Sequence, residues 1–191
     1  MKIYFDGCSW TEGAELSQPQ EERYSKLICD KLGAEETNLA LGGGSNDRII
    51  RNLMVDNDIA KYDLAIIQLT SKSRTEYFDE KQWVEISVQL SHERLGEKRK
   101  LWKYWYENMY ADQYGDCEEN FAIEGLRGHF AVRKIPCIIV TTDKYTKSNK
   151  FDMNLFDIDF PMDKTNHPTD FGHRMIAKTL YNHYETIISR V

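Results

Sequence analysis

Long apolar runs, a surplus of basic charge and closely paired cysteines are all missing from this sequence, and each absence removes a class of protein. No stretch approaches the roughly 18–20 apolar residues of a membrane span, and the opening Met1-Lys2-Ile3-Tyr4-Phe5-Asp6 turns acidic too soon for a signal peptide. The expectation is a cytoplasmic protein with no membrane partner. A net charge of −6 lacks the electrostatic footprint of a chain that grips nucleic acid, so none is expected as a partner. Cys8, Cys29, Cys117 and Cys137 form no Cys-x-x-Cys pair, and three of them sit in apolar or strand-like contexts where a reduced, buried thiol is ordinary. Neither a disulfide framework nor a metal site is expected. Proline is scarce and scattered, and repeats and low-complexity tracts are absent, so nothing marks a linker. Residues 1–191 read as one domain.

Hydrophobic periodicity alternates between strand and helix, which predicts an α/β fold with a parallel sheet covered by helices on both faces. Residues 2–5 form a first strand. Residues 21–32 carry Tyr24, Leu27, Ile28 and Leu32 at helical spacing, with Gly33 as a left-handed stop. A second strand at 37–41 runs into Gly42-Gly43-Gly44-Ser45-Asn46-Asp47, where the glycines permit a tight path and Ser45 or Asn46 caps the next helix. That helix, striped by Ile49, Ile50, Leu53 and Met54, ends near Asp58. Residues 63–69 are a nearly unbroken apolar run, as in a strand buried on both faces. The segment at about 80–134 reads as helical and too long for one helix. Residues 136–142 form a further strand. The last helix starts near Thr169 and directs Phe171, Ile176, Leu180, Tyr184 and Ile187 to the core.

In an open parallel sheet, ligands bind beyond the carboxyl ends of the strands. Ser9, Gly42 to Ser45, and Thr70 to Arg74 all follow strands, so three loops converge on one edge. Ser9 alone reads as a helix cap, and His167 alone as a residue shaping a turn before Pro168. Together they supply a nucleophile and a base, which serine ester chemistry requires.

The blocks occur in the order and near the positions of those in the SGNH (GDSL-like) hydrolase superfamily, which the chain resembles over almost its whole length. Gly7-Cys8-Ser9-Trp10-Thr11-Glu12-Gly13 resembles the Gly-Asp-Ser block, Asn38-Leu39-Ala40-Leu41-Gly42-Gly43 the second block, and His167-Pro168 with Gly172-His173 the last. The resemblance implies a flavodoxin-like α/β/α sandwich, Ser9 as nucleophile, His167 as general base and Gly43 as a backbone donor to the oxyanion. It implies a serine esterase needing no cofactor and no metal. The departures are specific. Cys8 replaces the usual aspartate, and Lys72, within Thr70-Ser71-Lys72-Ser73-Arg74, falls in the register of the usual asparagine donor. The orienting acid is Asp163, one residue further from the histidine than usual, with Asp159 and Asp157 as alternatives.

Thr70, Lys72 and Arg74 are the candidate oxyanion or substrate contacts, Arg74 suiting an anionic group. The substrate expected is a small-molecule or carbohydrate-like ester, cleaved by a deacetylase or small acyl esterase. The same residues serve an acyltransferase, and the departures also fit a catalytically weak binding or assembly protein. The glycines at 42–44 lack the lysine and spacing of a phosphate loop. The aromatic-rich segment 101–110 reads as packing or as a contact in a homo-oligomer, with an acyl or sugar wall as the alternative. His173 reads as structural. His92, His129 and His183 show no partner pattern, and the charge-rich run 93–100 reads as a solvated helix or turn.

Overall fold

The computed structural model describes residues 1–55, 58–87, 99–146 and 148–189; His92 and residues 93–98 of the charge-rich run lie outside them. The central sheet arises from short apolar strands whose alternate side chains face opposite ways. β1 (Lys2–Asp6), β2 (Glu35–Asn38), β3 (Leu64–Leu69), β6 (Cys137–Thr141) and β7 (Met153–Asn154) run parallel in the order β2-β1-β3-β6-β7. Every residue of β3 is buried, as its apolar run predicts for a central strand covered twice.

The alternation sorts side chains into two cores. Ile3, Phe5, Leu64, Ile66, Ile138 and Val140 face α3 (Tyr24–Leu32) and the C-terminal helix α7 (Asp170–Ile188). Tyr4, Ala65, Ile67, Leu69 and Ile139 face α4 (Asn46–Val55) and α6 (Asp112–Ala131). The result is the three-layer α/β/α sandwich expected from the sequence. Among the described residues, no helix is long and apolar enough to cross a membrane.

Helix ends follow local chemistry. Gly33, at φ 61°, closes α3 in the left-handed conformation. Ser45 accepts the Arg48 N–H at 3.2 Å and so caps α4. Thr169 caps α7 by accepting the Gly172 N–H at 3.2 Å.

Several expectations change. The first long helix is broken into α2 (Pro19–Glu22) and α3 at Arg23, whose backbone is extended and whose guanidinium is gripped by both carboxylate oxygens of Glu36 at 3.0 and 2.7 Å. The second strand starts at Glu35 and stops at Asn38, because the Asn38 amide turns to Thr11 O and Ser25 Oγ. The segment at 80–134 is not helical throughout. Its first residues belong to an antiparallel hairpin of β4 (Thr75–Phe78) and β5 (Trp83–Ile86), where Phe78 and Trp83 lie opposite each other with ring centroids 5.4 Å apart. Phe171 points to solvent at 56% exposure, while its neighbours Gly172 and His173 turn inward.

In the aromatic segment, α5 (Arg99–Tyr104) passes into a wide π turn at Trp105–Met109. Two of its rings hold polar contacts to the backbone of other segments. The Trp102 indole donates to Ser87 O and the Tyr106 hydroxyl to Ser73 O, both at 2.8 Å, and the two rings meet edge-on at 5.1 Å.

Candidate active site

The end of β1 delivers Ser9 through a passage that admits only glycine. A Cβ on Gly7 would collide with Thr11 Oγ1 and stand 2.9 Å from the Gln68 side chain. Beyond it, Cys8 occupies the cap position of the single-turn helix α1 (Ser9–Glu12), which Gly13 ends at φ 85°. A buried polar network fixes this turn from below. The Thr11 hydroxyl donates to Gln68 Oε1 at 2.6 Å and, its one proton spent, accepts from the Tyr24 hydroxyl at 2.6 Å. Gln68 Nε2 then donates to Cys8 Sγ at 3.0 Å and Thr142 Oγ1 at 2.9 Å.

These contacts set the character of Cys8. Burial pushes its thiol up, but the Arg74 guanidinium, the Trp10 N–H, Gln68 and Thr70 outweigh burial and hold it below its ordinary value. Asp6, just behind, is fully buried; burial lifts its carboxyl to about 6 although Asn52, Arg48, the Gly7 N–H and Tyr4 all favour the anion.

The glycine loop is drawn over α1 by Glu12, whose carboxylate accepts the Gly42 N–H at 2.8 Å. Gly43 follows at φ 80°, a conformation costly for any other residue. Among the described residues no intramolecular hydrogen bond engages its N–H, leaving that donor for a ligand. Asn46 anchors the far side of the loop to the end of β3, accepting from Thr70 N at 2.8 Å and donating to Thr70 O at 3.2 Å.

His167 is presented by a small closed loop. Met162 and Pro168 bridge across its base, and Asp163 N–H donates to His167 O at 2.8 Å. Asp163 Oδ1 accepts from the Thr165 N–H at 2.8 Å, the Thr165 hydroxyl at 2.6 Å and the His167 N–H at 3.0 Å. The Thr165 hydroxyl first, then the His167 N–H, hold this carboxyl below the usual carboxylate range. Asp163 therefore meets His167 at the backbone, and it is Thr165 Oγ1 that lies 2.7 Å from the ring Nδ1. The loop is tied to the nucleophile turn by the Trp10 indole, which donates to Asn166 O at 3.2 Å.

Ser9, Gly42, Gly43, Thr70, Ser71, Arg74, Thr142, Thr165 and His167 line one cleft of about 680 Å³ at the carboxyl edge of the sheet, with Trp10 and Phe156 forming an aromatic wall. Such a volume suits a small organic ligand. Ser9 and His167 share the cleft without a direct hydrogen bond between them; the Ser9 hydroxyl leans towards Cys8 Sγ at 3.9 Å. Catalytic contacts of this kind often tighten only around substrate.

The remaining candidates separate. Lys72 turns from the cleft to pair with Asp116 on α6, lining a smaller neighbouring cavity. Arg74 reaches both spaces and donates to Gly44 O at 3.4 Å. Asp157 and Asp159 are exposed and do not line the cleft. His173 is buried and accepts the Tyr24 N–H at 3.1 Å through Nδ1; burial lowers its pKa to about 4, so it stays neutral as a structural residue. Sequence reasoning missed Thr165, Gln68 and Asn46. Only Thr165 left a signal, a hydroxyl two residues from an aspartate and two from the histidine, as in a local Asx-type turn.

The chain matches no protein-family profile and no curated protein. Solved structures are similar throughout its length. The psychrotrophic esterase EstA from Pseudoalteromonas sp. superposes with a TM-score of 0.59 at 13% identity, covering 98% of each chain. A putative lipolytic protein of the G-D-S-L family from Desulfitobacterium hafniense gives 0.57 at 10% identity over 95% of this chain and 98% of that one. The acetyl xylan esterase Est2A from Butyrivibrio proteoclasticus gives 0.57 at 14% identity over 98% of this chain and 64% of that one. The three-layer α/β/α architecture of this chain is thus the fold it shares with these esterases and with the lipolytic protein of the G-D-S-L family.

Proposed function

We propose that this protein is a serine ester hydrolase in which Ser9 is the nucleophile, His167 the general base and Asp163 the acid behind it. The observation that carries the reading is the convergence of Ser9, Gly43 and His167 on one cleft from three distant parts of the chain. His167 takes the Ser9 proton as Ser9 attacks the ester carbonyl, and returns it to the leaving alcohol. Water then repeats the sequence on the acyl-enzyme. The backbone N–H groups of Gly43 and Ser9 hold the oxyanion. Arg74 and Thr70 stand where a side-chain donor is otherwise missing, since Lys72 is engaged by Asp116. A donor of this kind is typically worth about 3 kcal/mol in the transition state.

The substrate class proposed is a small acyl ester, foremost an acetyl ester, of a polar or carbohydrate-like alcohol. Support comes from a lining that combines the hydroxyl-bearing Thr70, Ser71, Ser87, Thr142 and Thr165 with the aromatic Trp10 and Phe156, a combination that pairs with sugar hydroxyls and sugar faces. Acetyl xylan esterases among the similar structures support it as well. The test is hydrolysis of p-nitrophenyl acetate and of acetylated oligosaccharides. Ser9→Ala and His167→Ala are each expected to lower turnover by at least about 10³-fold with unchanged melting temperature. Full turnover by folded Ser9→Ala overturns the reading.

A further inference from the structure

The Asp163 carboxylate, the Thr165 hydroxyl and the His167 ring lie in a row. Thr165 Oγ1 is 2.6 Å from Asp163 Oδ1 and 2.7 Å from His167 Nδ1. A threonine hydroxyl carries one proton, and an ionised carboxylate only accepts. The hydroxyl proton therefore points at Asp163, and the hydroxyl oxygen accepts from the ring. That places the ring proton on Nδ1 and the lone pair on Nε2, the nitrogen available to a serine hydroxyl.

We infer that Thr165 is a positioning residue that joins His167 to its acid, so that Asp163 orients the imidazole through an interposed hydroxyl rather than by contact. The inference rests on the esterase reading for its kinetic consequence, but the arrangement itself is a property of the loop. It also accounts for the spacing of the acid. The extra residue between Asp163 and His167 leaves the carboxylate on the backbone N–H of both Thr165 and His167, and the hydroxyl fills the gap to the ring. The backbone supports this placement: Asn166, at φ 62°, turns the chain, its N–H donates to Asp163 O at 3.2 Å, and its carbonyl is held by Trp10.

No proton travels along the row. When Nε2 takes the serine proton, Nδ1 keeps its own and the threonine keeps its own. The imidazolium charge is met by a hydroxyl whose dipole is polarised by the carboxylate behind it. The interaction is weaker than direct contact with a carboxylate but fixes the same tautomer.

The experiment uses the full chain labelled with 15N-histidine, with Thr165→Val removing the hydroxyl at nearly constant volume and Thr165→Ser restoring it. The ring nitrogen shifts of His167 are expected to report the Nδ1–H tautomer in the wild type and in Thr165→Ser, and a shift towards the Nε2–H tautomer in Thr165→Val. On p-nitrophenyl acetate, Thr165→Val is expected to lose about 10–100-fold in kcat with KM within about twofold, part of the 10²–10⁴-fold worth of general-base catalysis. Thr165→Ser is expected to recover to within about threefold of the wild type. A folded Thr165→Val with the wild-type tautomer and kcat overturns the inference. If the wild type proves inactive on esters, the esterase reading falls while the tautomer comparison still decides the role of Thr165.

Discussion

At the scale of single residues, the site is defined by what stands in unexpected places. Cys8 is buried, yet Arg74, the Trp10 N–H, Gln68 and Thr70 together make its thiol ionise more readily than an ordinary cysteine. Asp163 meets His167 at the backbone rather than at the ring, and the Thr165 hydroxyl lies between carboxylate and imidazole. Neither arrangement is legible from residue types alone, because both depend on distances between side chains. That Ser9, Gly43 and His167 come together in one cleft was legible, since each follows or precedes an element whose periodicity reveals it. Lys72 was placed in the oxyanion register by position, but its preference for an available carboxylate on α6 takes it elsewhere. A separate prediction concerns Glu85, whose carboxyl is raised to about 7, first by burial and further by Glu76, against the pull of Ser45 and Arg48. A carboxyl raised on folding stabilises the protein fully below its unfolded value and loses that contribution as pH rises through about 7. Glu85→Gln is therefore expected to match the wild type near pH 4 and to exceed it at pH 8 by about 1–3 kcal/mol. Urea unfolding at the two pH values measures the difference. An equal offset at both contradicts the assignment.

At the scale of elements, β1, β2, β3, β6 and the helices α4 and α7 were legible because a buried period of 2 or 3.6 or a long apolar run is a strong signal, whereas the two-residue β7 was too short to leave one. β3 and α4 show it directly, in the apolar run of 64–69, interrupted only by Gln68, and the stripe at Ile49 and Leu53. The hairpin at β4 and β5 escaped because its residues are half-exposed and stabilised by cross-strand and charged contacts. Arg51 illustrates this, bridging α4 to Glu76 at 2.6 and 2.9 Å while lying over the Trp83 ring at 4.7 Å. The break at Arg23 escaped for a similar reason, since its partner Glu36 lies in another element. In the aromatic segment, the Trp102 indole supports Ser87 beside the cleft. The strand-to-turn junction at Gly7 is the element most exposed to a single change. Gly7→Ala forces a methyl against Thr11 and Gln68, the two residues that hold α1 from below. The expected outcome is a loss of about 1–3 kcal/mol in thermal or chemical unfolding, with a fall in turnover because Ser9 moves with the turn. Wild-type stability in Gly7→Ala contradicts this account of the junction.

At the scale of the whole molecule, a parallel sheet gathers its loops at one edge, and the chain uses four of them. The loops after β1, β2, β3 and β6 meet there, and the histidine loop is fastened to them by Trp10 and Asn166. The fold was legible as a class because two-sided strands demand helices on both faces. The cleft was legible as a place, because strand ends specify it. Its lining was legible only in part: Phe156 and Thr142 come from segments with no motif, and topology alone carries them to the site. Fold similarity to esterases at 10–14% identity leaves the activity of this chain to chemistry that Ser9 itself must perform. The most direct measurement is the intact mass of the protein after exposure to a fluorophosphonate, with peptide mapping of the adduct. A single adduct on Ser9 in the wild type, lost in Ser9→Ala and in His167→Ala, is the predicted result. An unmodified wild-type protein, or an adduct on another residue that survives Ser9→Ala, contradicts the assignment of Ser9 as an activated nucleophile.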